Sequence, residues 1–120
     1  MQYLLLTYGT EGDWEKLPSS ARDSMLQEYE TFTQSVARSG HLRGGNELDV
    51  TKKAKTIRVR DGKHIVSDGP FAETKEQLGG YYLVEAKDED EALAIAARIP
   101  SARMGSIEVR PIIPHNIPGS

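Results

Sequence analysis

Ten consecutive residues, Ser67-Asp68-Gly69-Pro70-Phe71-Ala72-Glu73-Thr74-Lys75-Glu76, bring four ionisable groups and one aromatic ring to a rigid turn. Gly69 permits close backbone approach and Pro70 fixes its own φ. Loops braced by strands are where sites collect. Burial would lift the Asp68 carboxyl towards working pH and make it a general acid or base. The other reading of the same residues is a structural turn. There Asp68 caps backbone amides, Phe71 plugs the core, and Glu73, Lys75 and Glu76 face water. Asp-Gly and Gly-Pro are ordinary turn chemistry, so composition alone favours the turn.

The remaining reactive types are scattered. His41, His64 and His115 lack metal-ligand spacing such as His-x-x-x-His, and no metal or cofactor is expected. His41 is the one histidine placed to lean towards a pocket beside Asp68. Its pKa would be useful only if geometry set it near the acid. Tyr81, with four other tyrosines, has an apolar body and a donor suited to lining a pocket, although such rings more often pack cores and interfaces. Arg58 and Lys75 are candidates to steady an anionic ligand. Trp14 reads as a loop anchor. Neither Gly9-Thr10-Glu11-Gly12 nor Gly44-Gly45 is a phosphate loop, because no Gly-Lys-Ser/Thr follows.

These residues need a frame. Gln2 to Tyr8 is apolar and too short for a helix, so it reads as a buried strand. Thr10 to Ser19 reads as a loop. Ser20-Ala21-Arg22-Asp23 fits a capping box, and Leu26, Tyr29, Phe32, Thr33 and Val36 then recur at helical spacing up to Gly40. A short strand follows over His41 to Val50, with Gly44-Gly45 as a flexible break and Leu48 and Val50 inward. Thr56 to Arg60 and His64 to Val66 flank Asp61-Gly62, a two-residue hairpin signal. That turn sets Val59 opposite His64 and Ile57 opposite Val66. Asp68 to Gln77 reads as a loop, with one helical turn over Glu73 to Gln77. Gly80 to Ala86 is a strand, with Tyr82, Val84 and Ala86 on one face and Tyr81 and Leu83 on the other. Asp88 caps a second helix that Pro100 stops, and Ser106 to Ile112 is the last strand.

Without the hairpin, the order is βαββαβ, a ferredoxin-like split βαβ of the α+β class. Two helices cover one face of an antiparallel sheet. Tyr81 and Leu83 on the other face need a cover, which the sheet of a second copy would supply. The expected assembly is therefore a homodimer through sheet faces. Residues 1–113 form the domain, and 114–120 a loose tail.

A chain of 120 residues is one domain with enough core to fold without staples. With no cysteine there are no disulfides or thiolate sites, which suits a reducing cytoplasm. The start lacks the basic and long apolar regions of a signal peptide, and no apolar run approaches the roughly 20 residues that span a bilayer. A net charge of −3 argues against nucleic-acid binding. The basic run Lys52, Lys53, Lys55, Arg58 and Arg60 reads as a solvated strand edge.

Asp68-Gly69-Pro70-Phe71, then Glu73-Thr74-Lys75-Glu76 and Gly79-Gly80-Tyr81-Tyr82, resemble the DGPF group of the YCII-related proteins. Glu108-Val109-Arg110-Pro111 is similar to the family's closing motif, and Gly40 with Gly44-Gly45 to its glycine-flanked strand. The resemblance runs from Met1 to about Pro114. It implies a dimeric α+β barrel and bacterial relatives, mostly uncharacterised, whose genes often sit beside extracytoplasmic-function sigma factors. Some wider relatives are thought to use a His–Asp pair, and one branch does dehalogenation. The family's histidine lies in the first helix, whereas Ser20 to Ser39 contains none, so only Asp68 carries over.

Two functions follow as expectations. One is a ligand-binding or regulatory module with a pocket at the loop, which the resemblance ties to sigma-factor control. Gly69, Pro70, Phe71, Lys75, Arg58 and Tyr81 would line it for an unknown small molecule. The alternative is a cofactor-independent enzyme catalysing acid–base elimination or isomerisation. Asp68 would be its catalytic residue and His41 a secondary candidate.

Overall fold

Strand β1 (Gln2–Gly9) runs antiparallel between β5 (Gln77–Glu85) and β6 (Ser106–Pro111), and β2 (Leu42–Glu47) closes the far edge, giving the order β2-β5-β1-β6. That is the ferredoxin-like order. The structure is a computed structural model and describes residues 1–118. Between the strands lie α1 (Asp13–Lys16), α2 (Ser19–Arg38) and α3 (Glu89–Ala97). A separate two-stranded ribbon, β3 (Lys55–Arg60) and β4 (Lys63–Asp68), is inserted between β2 and β5.

Period-two alternation decides which sheet face is covered. Tyr3 and Leu5 of β1 pair with Val84 and Tyr82 of β5, and all four point towards the helices. Phe32 and Val36 of α2 and Ala92, Ile95 and Ala96 of α3 complete this core. Phe32 meets Tyr82 edge-on, with ring centroids 5.2 Å apart at 76°. That is the arrangement aromatic quadrupoles prefer. The alternate residues Leu4, Leu6, Tyr81 and Leu83 pair with one another across the uncovered face. All four are only half-buried.

Several local expectations are corrected. The segment from Thr10 to Ser19 is not all loop, because Asp13 to Lys16 forms a helical turn and α2 already starts at Ser19. The capping box does not form. Pro18 occupies the N-cap position, so Ser20 lies inside the helix, and no side chain caps that end. The other end is as the sequence indicates. Gly40 has φ +81°, its N–H donates to Ala37 O (3.1 Å), and the His41 N–H donates to Val36 O (3.0 Å). These paired bonds are a Schellman stop. Gly44 and Gly45 are no flexible break. They pair with Leu83 and Tyr82 beside a register shift. The backbones approach so closely that a Cβ on Gly45 would lie 3.0 Å from Tyr81 O. Leu48 and Val50 point out, not in, because the strand ends at Glu47. No helical turn forms over Glu73 to Gln77. Gln77 instead begins β5, three residues earlier than expected, by pairing with Gly9.

The hairpin follows its turn chemistry. Asp61 and Gly62 both take positive φ (52° and 74°), and Val59 pairs with His64 and Ile57 with Val66. Beyond Pro111 the chain runs as coil to Pro118, and the rest of the expected tail lies outside the described residues. Among the described residues no helix is long and apolar enough to cross a membrane, and no three His, Asp or Glu side chains converge as a metal site.

Candidate functional site

The Asp-Gly-Pro-Phe corner sits where β4 leaves the ribbon. Asp68 pairs in register with Lys55, and their side chains form an ion pair. Gly69 turns the chain with φ +89°, its N–H donates to Ala54 O (2.8 Å), and its carbonyl accepts from Thr56 Oγ1 (2.9 Å). Backbone and hydroxyl bonds therefore hold the corner, and Asp68 caps no amide. Its side chain is 84% exposed and Phe71 is 79% exposed. Phe71 does not plug the core. Lys75 is exposed, and Arg58 makes only a long 3.5 Å bond to Phe71 O. The Tyr81 hydroxyl, on the open sheet face, accepts from Asn46 Nδ2 (2.9 Å). Within one chain the corner is open to water, and among the described residues no wall of a pocket closes over Asp68. Asp68→Asn is accordingly expected to leave the fold intact and change unfolding free energy by about 0.5 kcal/mol or less, as an exposed ion pair does. Urea denaturation checks this. A large loss would show that the carboxylate holds the turn after all.

His41 is not beside Asp68. Its Nε2 lies 3.1 Å from Glu91 Oε1 and its Nδ1 2.6 Å from Ser39 Oγ. The Ser39 hydroxyl has one proton to give and two acceptors within reach, Val36 O (3.1 Å) and, in the tautomer that donates to Glu91, His41 Nδ1. This is the order of a Ser-His-acid relay, but it lacks the donors such a relay needs. The N–H groups of Ser39, Gly40 and His41 are all spent on Ser35, Ala37 and Val36 carbonyls in the helix stop, so no oxyanion hole forms. The cluster instead ties the start of β2 to α3. The Lys87 amide, which donates to Glu91 Oε1 at 3.0 Å, and more weakly His41 hold the Glu91 carboxyl below its ordinary value. A depressed carboxylate contributes stability above its unfolded pKa and loses it as pH falls through the folded value. Melting temperature should therefore drop on acidification below about pH 4.5, the ordinary glutamate value. The Glu91→Gln variant should show a shallower acid limb. An unchanged limb would remove the cluster from the account.

The other end of the sheet carries a real hollow. Gln77 and Leu78 of β5 pair with Gly9 and Tyr8, Gln77 Oε1 accepts from the Glu11 N–H (2.9 Å), and Ser106 Oγ donates to Glu76 (2.8 Å). The descending limb of the acidic loop is thus clamped beside a cleft of about 160 Å³. Tyr8, Trp14, Met25, Tyr29 and Met104 make it mainly apolar, and Asp13 stands at its wall. Ser101 also lines it, with a buried Oγ that finds no hydrogen-bond partner. Buried hydroxyls are normally paired, so an orphan on a residue of the cleft wall is an exception that a small shift towards a ligand or water would satisfy. Sequence reasoning does not single out this cleft, because its walls come from three separated segments, 8–14, 25–29 and 101–105. The one local signal is a lone tryptophan next to an acid.

A family model described as YCII-related domain matches residues 1–116. The chain is 36% identical over 114 residues to the uncharacterized protein R00369 of Rhizobium meliloti (strain 1021), covering 93% of this chain and 92% of that protein. Among solved structures it is similar to 5-chloro-2-hydroxyhydroquinone dehydrochlorinase (TftG) from Burkholderia phenoliruptrix AC1100 in complex with 2,5-dihydroxybenzoquinone. The TM-score is 0.55 at 13% identity, over 94% of each chain. At that identity the likeness is one of fold.

Proposed function

The chain belongs to the YCII-related domain family, and from that premise we propose that it is a small-molecule-binding module, dimeric through its open sheet faces. Its ligand is a single-ring compound bearing a hydroxyl or similar polar group. The observation that carries this reading is the unpartnered, buried hydroxyl of Ser101, a residue of the aromatic-lined cleft's wall. The cleft's volume of about 160 Å³ is close to that of an apolar cavity that takes up benzene, roughly 150 Å³. The acidic loop serves as the brace of this site, through Glu76 and Gln77, in place of a pocket of its own.

The enzyme reading, with Asp68 as acid or base, rests on less. TftG performs dehydrochlorination on this fold, but Asp68 here is exposed and paired with Lys55.

Trp14 is the chain's single tryptophan and lines the cleft, so its fluorescence reports occupancy directly. Titration with phenol is expected to give saturable quenching. The Ser101→Ala variant should weaken phenol binding about three- to tenfold, the worth of one hydrogen bond, while toluene binding stays unchanged. Equal loss for both probes, or no saturable signal with either, would refute the assignment.

A further inference from the structure

Half of the exposed large hydrophobics lie in one short stretch. Of fourteen among the described residues, seven fall between Leu48 and Phe71: Leu48, Val50, Ile57, Val59, Ile65, Val66 and Phe71. The ribbon inside this stretch has no third strand and no helix against it. Its four apolar residues are 50–61% exposed, and since Ile65 and Val66 are neighbours in a strand, both of its faces carry apolar area. A two-stranded hairpin alone is at best marginally stable in water. The chain is also extended for its length. Its radius of gyration is 16.5 Å, against roughly 14 Å for a compact domain of this size.

Charge separates along the same line. The ribbon and its turn, residues 55–68, hold Lys55, Arg58, Arg60 and Lys63 against Asp61 and Asp68, a net of +2. The whole chain is −3, so the rest carries −5. The chain therefore presents two unpartnered surfaces, a basic apolar ribbon and the half-buried open face of an acidic body. Both stay uncovered within one subunit. A two-fold axis covers both at once, because in an isologous pair each ribbon can reach the other body.

We propose that the ribbon is a dimerisation arm. Each chain lays its 55–68 hairpin alongside the sheet of a second copy, extending the sheet-to-sheet contact and covering Ile57, Val59 and Val66. This rests on the dimeric part of the reading above and adds a surface that sheet contact alone would not use. The cysteine-free chain allows a clean test. A nitroxide is attached at Arg60→Cys, next to the turn, and the labelled chain is mixed with an isotope-labelled, unmodified chain. The expected result is intermolecular broadening of sheet-face resonances, those of Leu4, Leu6 and Leu83, in the unmodified partner. Paired Val59→Glu and Val66→Glu substitutions lie outside the core and should leave the fold intact, as circular dichroism reads. They should also weaken the dimer at least tenfold by light scattering over a dilution series. A dimer that shows no intermolecular broadening and resists both charges would overturn the arm and leave the sheet contact standing. A wild-type chain that stays monomeric at all concentrations would remove both, while Trp14 quenching would still judge the cleft.

Discussion

Gly105→Ala is expected to cost about 3 kcal/mol or more and to lower the melting temperature by roughly 10 °C or more. A Cβ on Gly105 would stand 2.0 Å from Tyr8 O, 3.1 Å from Tyr8 C and 3.2 Å from Gly9 Cα. None of these is the end of a flexible side chain. All are backbone in the strand that carries the sheet, and Tyr8 pairs with Ser106 one residue on. Relief requires β1 and β6 to part at this end, which breaks ladder hydrogen bonds and opens the cleft that Tyr8, Gly9 and Gly105 line. Phenol quenching of Trp14 should fall with the stability. Gly44→Ala is the control. Gly44 also sits in the sheet, but a Cβ there meets nothing within 4 Å and its φ is not positive. That variant should change stability by only a few tenths of a kcal/mol. Thermal melts by circular dichroism compare the two. Equal melting temperatures would mean that the backbone at Tyr8 yields more readily than its place in the sheet allows.

Leu5→Ala is the second large effect, about 2–5 kcal/mol. Leu5 is fully buried on the central strand, opposite Tyr82 on one side and Val109 on the other. Removing its branched end loses transfer free energy and leaves a void that a three-strand neighbourhood cannot collapse to fill. Leu4 has the same residue type and the adjacent position but points to the open face. Leu4→Ala should cost about 1 kcal/mol or less in the folded chain, and should act instead on the dissociation constant of the proposed dimer. Denaturant midpoints at low concentration, with light scattering over a dilution series, separate the two effects. If Leu4→Ala destabilises the subunit as much as Leu5→Ala does, the two faces have been assigned wrongly.

Much of this molecule could be read along the chain. Alternation in Gln2–Tyr8 and Gly80–Ala86, the spacing of Tyr29, Phe32 and Val36, the Gly40 stop, the Asp61-Gly62 turn and the Asp88 cap all act over a few residues. Each became the element its local physics indicates, and the cap is visible as Asp88 accepting from the Glu91 N–H (2.9 Å). The element order then left few topologies, and the ferredoxin-like one followed. Failures were also local where two signals competed. Pro18 displaced the Ser20 capping box, and the pairing of Gln77 with Gly9 overrode a helical turn before it.

The site was another matter. Asp68 and His41 are chemically able residues, and nothing near them in sequence says that one faces water beside Lys55 while the other faces Glu91, fifty residues away. The cleft gathers Tyr8, Trp14, Tyr29, Ser101 and Met104 from segments that no short-range rule connects. Sequence by itself determined the elements, their order and which faces are apolar, because propensity, turn geometry and periodicity are set by neighbours. Only the tertiary structure decided which polar group is buried without a partner and which acid stays in water, because desolvation depends on what distant chain packs against each group.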